Sequence, residues 1–425
     1  MQTNFQINKV GNGQIYDQAK FTAAYQFFEE SRNDRDYREE ILFQTKEQVD
    51  AWSVNLDFEK RYSANTFFYG LEYVLNTVNS EGFETNIVSG ENFPGISRYP
   101  DDASWQSMAA YGSFQWKLGP DLTLQTGARY NHILLKAEFD EEMYDFPFSD
   151  ANLNTGALTG SAGINWRQND IFGWQLNFST AFRAPNIDDV GKIFDSAPGM
   201  VVVPNPNLRS ETAYNAELGS RINFDKKIQF DFAAYYTLLD NALVRRDFDL
   251  NGQTLIDYQG EPSRVQAIQN AAKAYVYGFE AGAKLKFSKN LKFITQVSVT
   301  EGKEEQDDGS TAALRHAAPF FGNAHLVWEN EVLRFDFFGE YNGEISYEEL
   351  APSELDKAYL YAIDDDRNPY SPEWYTLNFR SQYQIGKGWT ATVSLENITD
   401  QRYRTYSSGI AAAGRNLILA LGYNF

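Results

Sequence analysis

Along the 425 residues, tight turns and long connections alternate. KLGPD (117–121), FDKK (224–227), FSKN (287–290), ENEV (329–332) and IGKG (385–388) are short and rich in Gly, Asn, Asp and Lys, the chemistry of hairpin turns. Between them lie long links at 31–42, 80–102, 139–153, 185–210, 247–273, 303–318, 345–372 and 400–413. An antiparallel sheet wound in this way carries every long link at one end. A soluble sandwich has no reason to do so. A transmembrane barrel does, with short turns facing the periplasm and long loops facing outward.

The segments between these connections read as strands. The pattern predicts about sixteen, near 18–30, 43–60, 65–79, 103–118, 121–138, 154–167, 172–184, 211–224, 227–246, 274–288, 290–302, 319–329, 331–344, 373–385, 388–399 and 414–425. Alternation is cleanest late in the chain. Leu333, Phe335, Phe337 and Tyr341 oppose Arg334, Asp336, Glu340 and Asn342, and Leu417, Leu419, Leu421, Tyr423 and Phe425 close the series. The chain has no apolar run of the ~18 residues that a membrane helix needs. Aromatics reach 16% although mean hydropathy is low, a combination that alternating lipid-facing and lumen-facing side chains produce. Phe67, Phe68, Tyr69, Tyr73, Tyr235, Tyr236, Tyr275, Tyr277 and Trp328 are placed as interfacial girdles.

Cys is absent, which removes disulfides and thiolate metal sites. A net charge of −21 argues against a nucleic-acid partner, which requires a basic footprint. The acids cluster at 29–40, 137–150 and 301–308, as solvated loops or as a field that attracts cationic or metal-bearing ligands. MQTNFQINKVGNG has no apolar core, so the natural start is expected upstream of Met1.

Residues 176–224 organise the rest. Leu176, Phe178, Thr180 and Phe182 alternate with Asn177, Ser179, Ala181 and Arg183, so one face is greasier than the other. Pro185, Pro198, Pro204 and Pro206 then hold an ordered loop longer than compact domains normally tolerate. FRAPN followed by VPNPNLRSE and ELG resembles the paired box of TonB-dependent outer-membrane receptors, nearest the haem and haemoprotein subgroup. So do RYPDDASWQSMAAYGSFQW (98–116), YTLLDNALVRRDF (236–248), VQAIQNAAKAYVYGFEAGAKLKF (265–287) and the last hairpin, 395–425.

The resemblance implies an all-β, antiparallel transmembrane barrel over 1–425, the C-terminal portion of a twenty-two-stranded receptor whose plug and TonB box are not in this chain. It implies a receptor and transporter in the cell outer membrane for an iron-bearing ligand, which would be haem, a haemoprotein or a siderophore. Its partners would be TonB (through the missing N-terminal region), outer-membrane lipid and lipopolysaccharide, with no cofactor. The alternatives are a passive porin-like or structural barrel, or a non-functional truncated receptor. An even strand count with both ends periplasmic would permit closure of the sheet.

Site expectations fall on the long links. The subgroup commonly ligates iron through a His between the two boxes, but 186–204 contains none. The candidates are therefore Arg183, Asp188, Asp189, Met200, Asn205, Asn207 and His316. Arg183 is expected to pair with Asp188, Asp189 or Glu211, and Asn205 and Asn207 to set the loop's re-entry through Asx turns. Asp364, Asp365, Asp366 and Asn368 offer hard oxygen donors without EF-hand spacing, and read first as a solvated loop. GxSxG, HExxH, P-loop and Rossmann signatures are missing, so catalysis is not expected.

Overall fold

The computed structural model describes residues 1–11, 13–140, 146–197, 199–270, 273–306, 308–386 and 388–424. The expected roles of Pro198 and Phe425 lie outside the described residues. The main sheet has nineteen strands, two of which are three-residue ribbons at Asn92–Pro94 and Thr311–Ala313. The other seventeen pair antiparallel in chain order. They are Gln2–Val10, Gln18–Asp34, Ile41–Tyr62, Asn65–Asn86, Ala103–Lys117, Leu122–Glu138, Asp150–Arg167, Phe172–Arg183, Glu211–Phe224, Ile228–Asp240, Lys273–Lys286, Leu291–Glu305, Phe321–Glu329, Leu333–Asn342, Trp374–Gly386, Trp389–Glu396 and Asn416–Tyr423.

Two details differ from the sequence pattern. Gln2–Val10 is a strand, paired from Gln2↔Gln26 to Val10↔Gln18, although its short Phe5/Ile7 alternation gave little signal. The predicted strand 227–246 is two: the wall strand ends at Asp240, Asn241 takes a φ of 56°, and Leu243–Asp247 turns into a different sheet. With seventeen strands, the first and last run in the same direction, so an even-count closure between them does not apply. Among the described residues neither outer edge has a partner, and both edge strands are exposed along their length.

Turn chemistry fixes one rim. At FDKK, Asp225 and Lys226 have φ of 49° and 58°, and the Lys227 amide donates to the Phe224 carbonyl at 3.0 Å. Positive φ at both central residues is the type I′ arrangement, whose twist matches that of the flanking strands. All the long links emerge at the opposite rim, at 35–40, 87–102, 139–149, 184–210, 241–272, 306–320, 343–373 and 397–415.

The wall's polarity is inverted relative to a soluble sheet. Phe337, Tyr375, Tyr383, Val393 and Leu158 are exposed, while Asp336, Thr376, Asn378 and Ser394 are buried. Register lines up Leu176, Leu218, Ala234, Phe279 and Val299 across five neighbouring strands, making a continuous apolar belt. Patches beyond a few hundred Å² are rare on proteins that live in water, and lipid accounts for a belt of this kind. Toward the long-link rim, Tyr236, Tyr275 and Tyr277 stack with centroids 6.4–6.5 Å apart, as expected of a girdle. Tyr235, expected in the girdle, instead lies on the inner side over Gly278, because neighbouring strand residues face opposite ways; an added Cβ at Gly278 would come within 2.5 Å of its hydroxyl. Glycine there lets a large ring lie flat on the sheet.

Candidate functional site

The long-link rim holds the molecule's buried apolar clusters. One joins Val78, Ala103, Leu135, Phe139, Ile187 and Leu208. A second joins Ile193, Val201, Val203, Leu250, Val265 and Ala267. Around the latter, links 184–210 and 241–272 build a five-stranded sheet from Phe194–Ala197, Met200–Val202, Leu243–Asp247, Leu255–Tyr258 and Glu261–Asn270. Met200–Val202 runs parallel to Arg264–Gln266, and the Val203 amide donates to the Gln266 carbonyl at 2.8 Å. The long proline-bearing loop is thus an ordered platform.

FRAPN and NPNL sit at the two feet of this platform. Asn186 caps the short helix Ile187–Gly191 in a reciprocal box with Asp189, whose carboxylate also takes the Arg183 guanidinium at 2.7 and 2.9 Å. Asp188 accepts from the Tyr99 hydroxyl at 2.7 Å and lies 2.9 Å from the Lys192 ammonium. Burial opposes its ionisation, but Tyr99 and Lys192 outweigh burial and hold its carboxyl below the usual range. Burial, together with that hydrogen bond, pushes the Tyr99 phenol up to about 12. At the other foot, buried Asn205 donates to the Ile268 carbonyl at 2.8 Å and accepts the Asn207 amide at 3.1 Å, an Asx turn. Leu208 anchors the first apolar cluster.

The expected site residues do not converge on one cavity. Arg183, Asp188 and Asp189 meet at the helix, while Asn205 and exposed Asn207 brace the re-entry. Met200 lies half-buried in the platform sheet. His316 sits on a third link with a φ of 64°, its Nε2 3.6 Å from Glu354. Asp364 accepts the Asn368 amide at 2.7 Å within its own turn. Among the described residues, no cluster of three His, Asp or Glu side chains is arranged to hold a metal ion.

Sequence reasoning missed two features of the rim. Glu354 is fully buried, and its carboxylate takes Arg315 Nε at 2.5 Å, Ser407 Oγ at 3.1 Å and the Tyr361 hydroxyl. Burial raises its pKa, but Tyr361, Arg315 and Ser407 together bring it below the ordinary value. One carboxylate therefore fastens links 306–320, 343–373 and 397–415. The second feature is a group of cations around Phe194. Lys192 lies 4.3 Å from the ring centroid, and Arg98 and Arg245 each lie 5.7 Å from it. The Ile193 amide donates to the Arg98 carbonyl at 3.0 Å, so two of the contributing links are tied at the backbone. These residues come from segments far apart in sequence, and no local pattern marks them.

A family model, described as TonB dependent receptor-like, beta-barrel, matches residues 2–398. The chain belongs to the TonB-dependent receptor-like β-barrel family. Relatives include heme/hemopexin utilization protein C of Haemophilus influenzae strain 86-028NP, 24% identical over 400 residues, covering 88% of this chain and 50% of that protein. Hemoglobin-haptoglobin utilization protein B of Neisseria meningitidis serogroup A is 25% identical over 325 residues, covering 70% of this chain and 39% of that protein. The chain spans about half the length of the first of these relatives. Among solved structures, the copper transporter OprC superposes with a TM-score of 0.80 at 14% identity, covering 100% of this chain and 65% of that one. The Serratia marcescens hemophore receptor HasR, in complex with its hemophore HasA and heme, gives 0.73 at 14% identity with the same coverages. These structural likenesses speak for the fold alone.

Proposed function

We propose that the chain is the barrel portion of an outer-membrane receptor that imports an iron-bearing ligand (haem, a haemoprotein or a siderophore) with energy relayed by TonB. The observation that carries this reading is the 24% identity to a heme/hemopexin utilization protein across 88% of the chain, so across links as well as wall. The outward apolar belt supports a place in lipid, with lipopolysaccharide around the long-link rim. The two open edges run in the same direction, so an odd number of further antiparallel strands would close the wall. Five would bring the seventeen to the family's twenty-two, supplied from outside this chain together with the plug and TonB box. Ligand would dock on the ordered rim, and the plug's displacement would admit it.

Growth on defined iron sources tests this. In an iron-starved strain lacking the gene, haemin, haemoglobin or a ferric siderophore is given as sole iron source. The intact gene is expected to restore growth on at least one, and only while TonB is functional. Equal growth with and without the gene on every source would remove the import reading.

A further inference from the structure

We infer that the rim carries a binding site for a polycarboxylate anion, formed around Phe194 by Arg98 and Arg245 with Lys192 beside them. The inference rests on the import reading and names the ligand chemistry of its docking surface. Three cations surround one aromatic ring, each pair no farther apart than the sum of two ring distances of 4.3–5.7 Å.

The acids nearby are already engaged. Asp188 is held by Lys192 and Tyr99, Glu354 by Arg315, Tyr361 and Ser407, and Asp356 lies 3.7 Å from Arg264. Among the described residues no carboxylate lies within 4 Å of Arg98 or Arg245. Among the described residues, the buried Arg245 Nε has no hydrogen-bond partner. Like charges gathered in a partly desolvated place repel, and an unpaired guanidinium proton there is costly. An entering anion relieves both.

The chain's net charge of −21 sharpens this. A basic focus within an acidic molecule draws an anion to one place. Guanidinium forks favour planar carboxylates, which they bind bidentately, and Phe194 adds an apolar face beside them. A porphyrin's two propionates and a hydroxycarboxylate iron complex share this chemistry.

The test is equilibrium binding to the intact detergent-folded receptor, with haemin, haemin dimethyl ester and ferric citrate as probes. Haemin or ferric citrate is expected to bind at least about tenfold more weakly to the Arg98→Gln/Arg245→Gln double variant, and more weakly as salt rises. A dimethyl ester that binds more weakly than haemin assigns the site to propionates, and ferric citrate binding without haemin assigns it to hydroxycarboxylates. Heat-modifiable gel mobility reports folding, and Arg221→Gln at the opposite rim, where Arg221 pairs with Asp231, is the charge control. Wild-type affinity in the double variant for every probe, or no binding of any probe by wild type, overturns the site. Growth restored on an iron source with no effect of the double variant would sink this inference and leave import standing. Charge-dependent binding without growth would do the reverse.

Discussion

The wall and the rim are built on opposite solvation rules. In the wall, Phe279, Val299 and Phe337 face out while Asp336, Thr376 and Asn378 are hidden, so hydrophobic side chains meet the surroundings and polar ones fill the inside. At the rim, Val201, Val265 and Ala267 are buried while Arg264 and Asp247 are exposed, as in a soluble domain. The wall is held by antiparallel ladders and a lipid solvent. The rim is held by apolar packing and a few high-stakes polar contacts. The difference teaches where a single substitution should matter, and in which solvent.

The sharpest break would come at Glu354. Removing it leaves Arg315 uncompensated beside Arg245 and Lys357, and breaking a buried pair of this kind costs about 3–5 kcal/mol. Glu354→Ala should therefore make links 306–320, 343–373 and 397–415 sensitive to protease while the folded wall keeps its heat-modifiable mobility. Loss of both together would show that rim and wall are not separate. Acid should mimic the substitution. The folded pKa of Glu354 lies below its ordinary value of 4.5, so its contribution is complete above that value and is lost as pH falls through the folded one. His316, Tyr361, Tyr406 and Lys357 face the same carboxylate. Protease sensitivity in wild type should rise only below about pH 4.5, and Glu354→Gln should flatten that rise.

A smaller effect is expected at the apolar belt. Phe279→Arg puts a charge in the middle of a lipid-facing strand, at a cost of about 2–4 kcal/mol near the bilayer midplane. Gln296→Arg, on the polar side that faces the interior, should cost far less. Folding yield into lipid vesicles compares the two, and equal yields would mean the wall has no preferred outside. Smallest is Asn205→Ala, which leaves the Ile268 carbonyl and Asn207 amide without their side-chain partner at about 1–2 kcal/mol. It should loosen the platform's foot in hydrogen exchange and leave the belt unchanged.

Much of the wall was legible in the sequence because its information is local. Period-two alternation and turn chemistry placed Leu333–Asn342, Trp374–Gly386 and their neighbours within a few residues. Gln2–Val10 was illegible because its alternation is too short to stand out, and Leu243–Asp247 because nothing but Asn241's backbone marks the corner. At the rim, Asn205 and the Arg183–Asp189 pair could be read, since each works within one segment. Phe194 with Arg98 and Arg245, or Glu354 with Arg315 and Ser407, could not. Those contacts exist only after separate links pack, and a Lys or Glu in a loop looks the same whether it is solvated or holds a site together.

Links 184–210 and 241–272 share backbone hydrogen bonds, because Met200–Val202 and Arg264–Gln266 lie side by side in one sheet. A ligand that tugs on either segment must carry the other along. The two behave as one paddle with two stems, so a crosslink that stiffens one stem should still both.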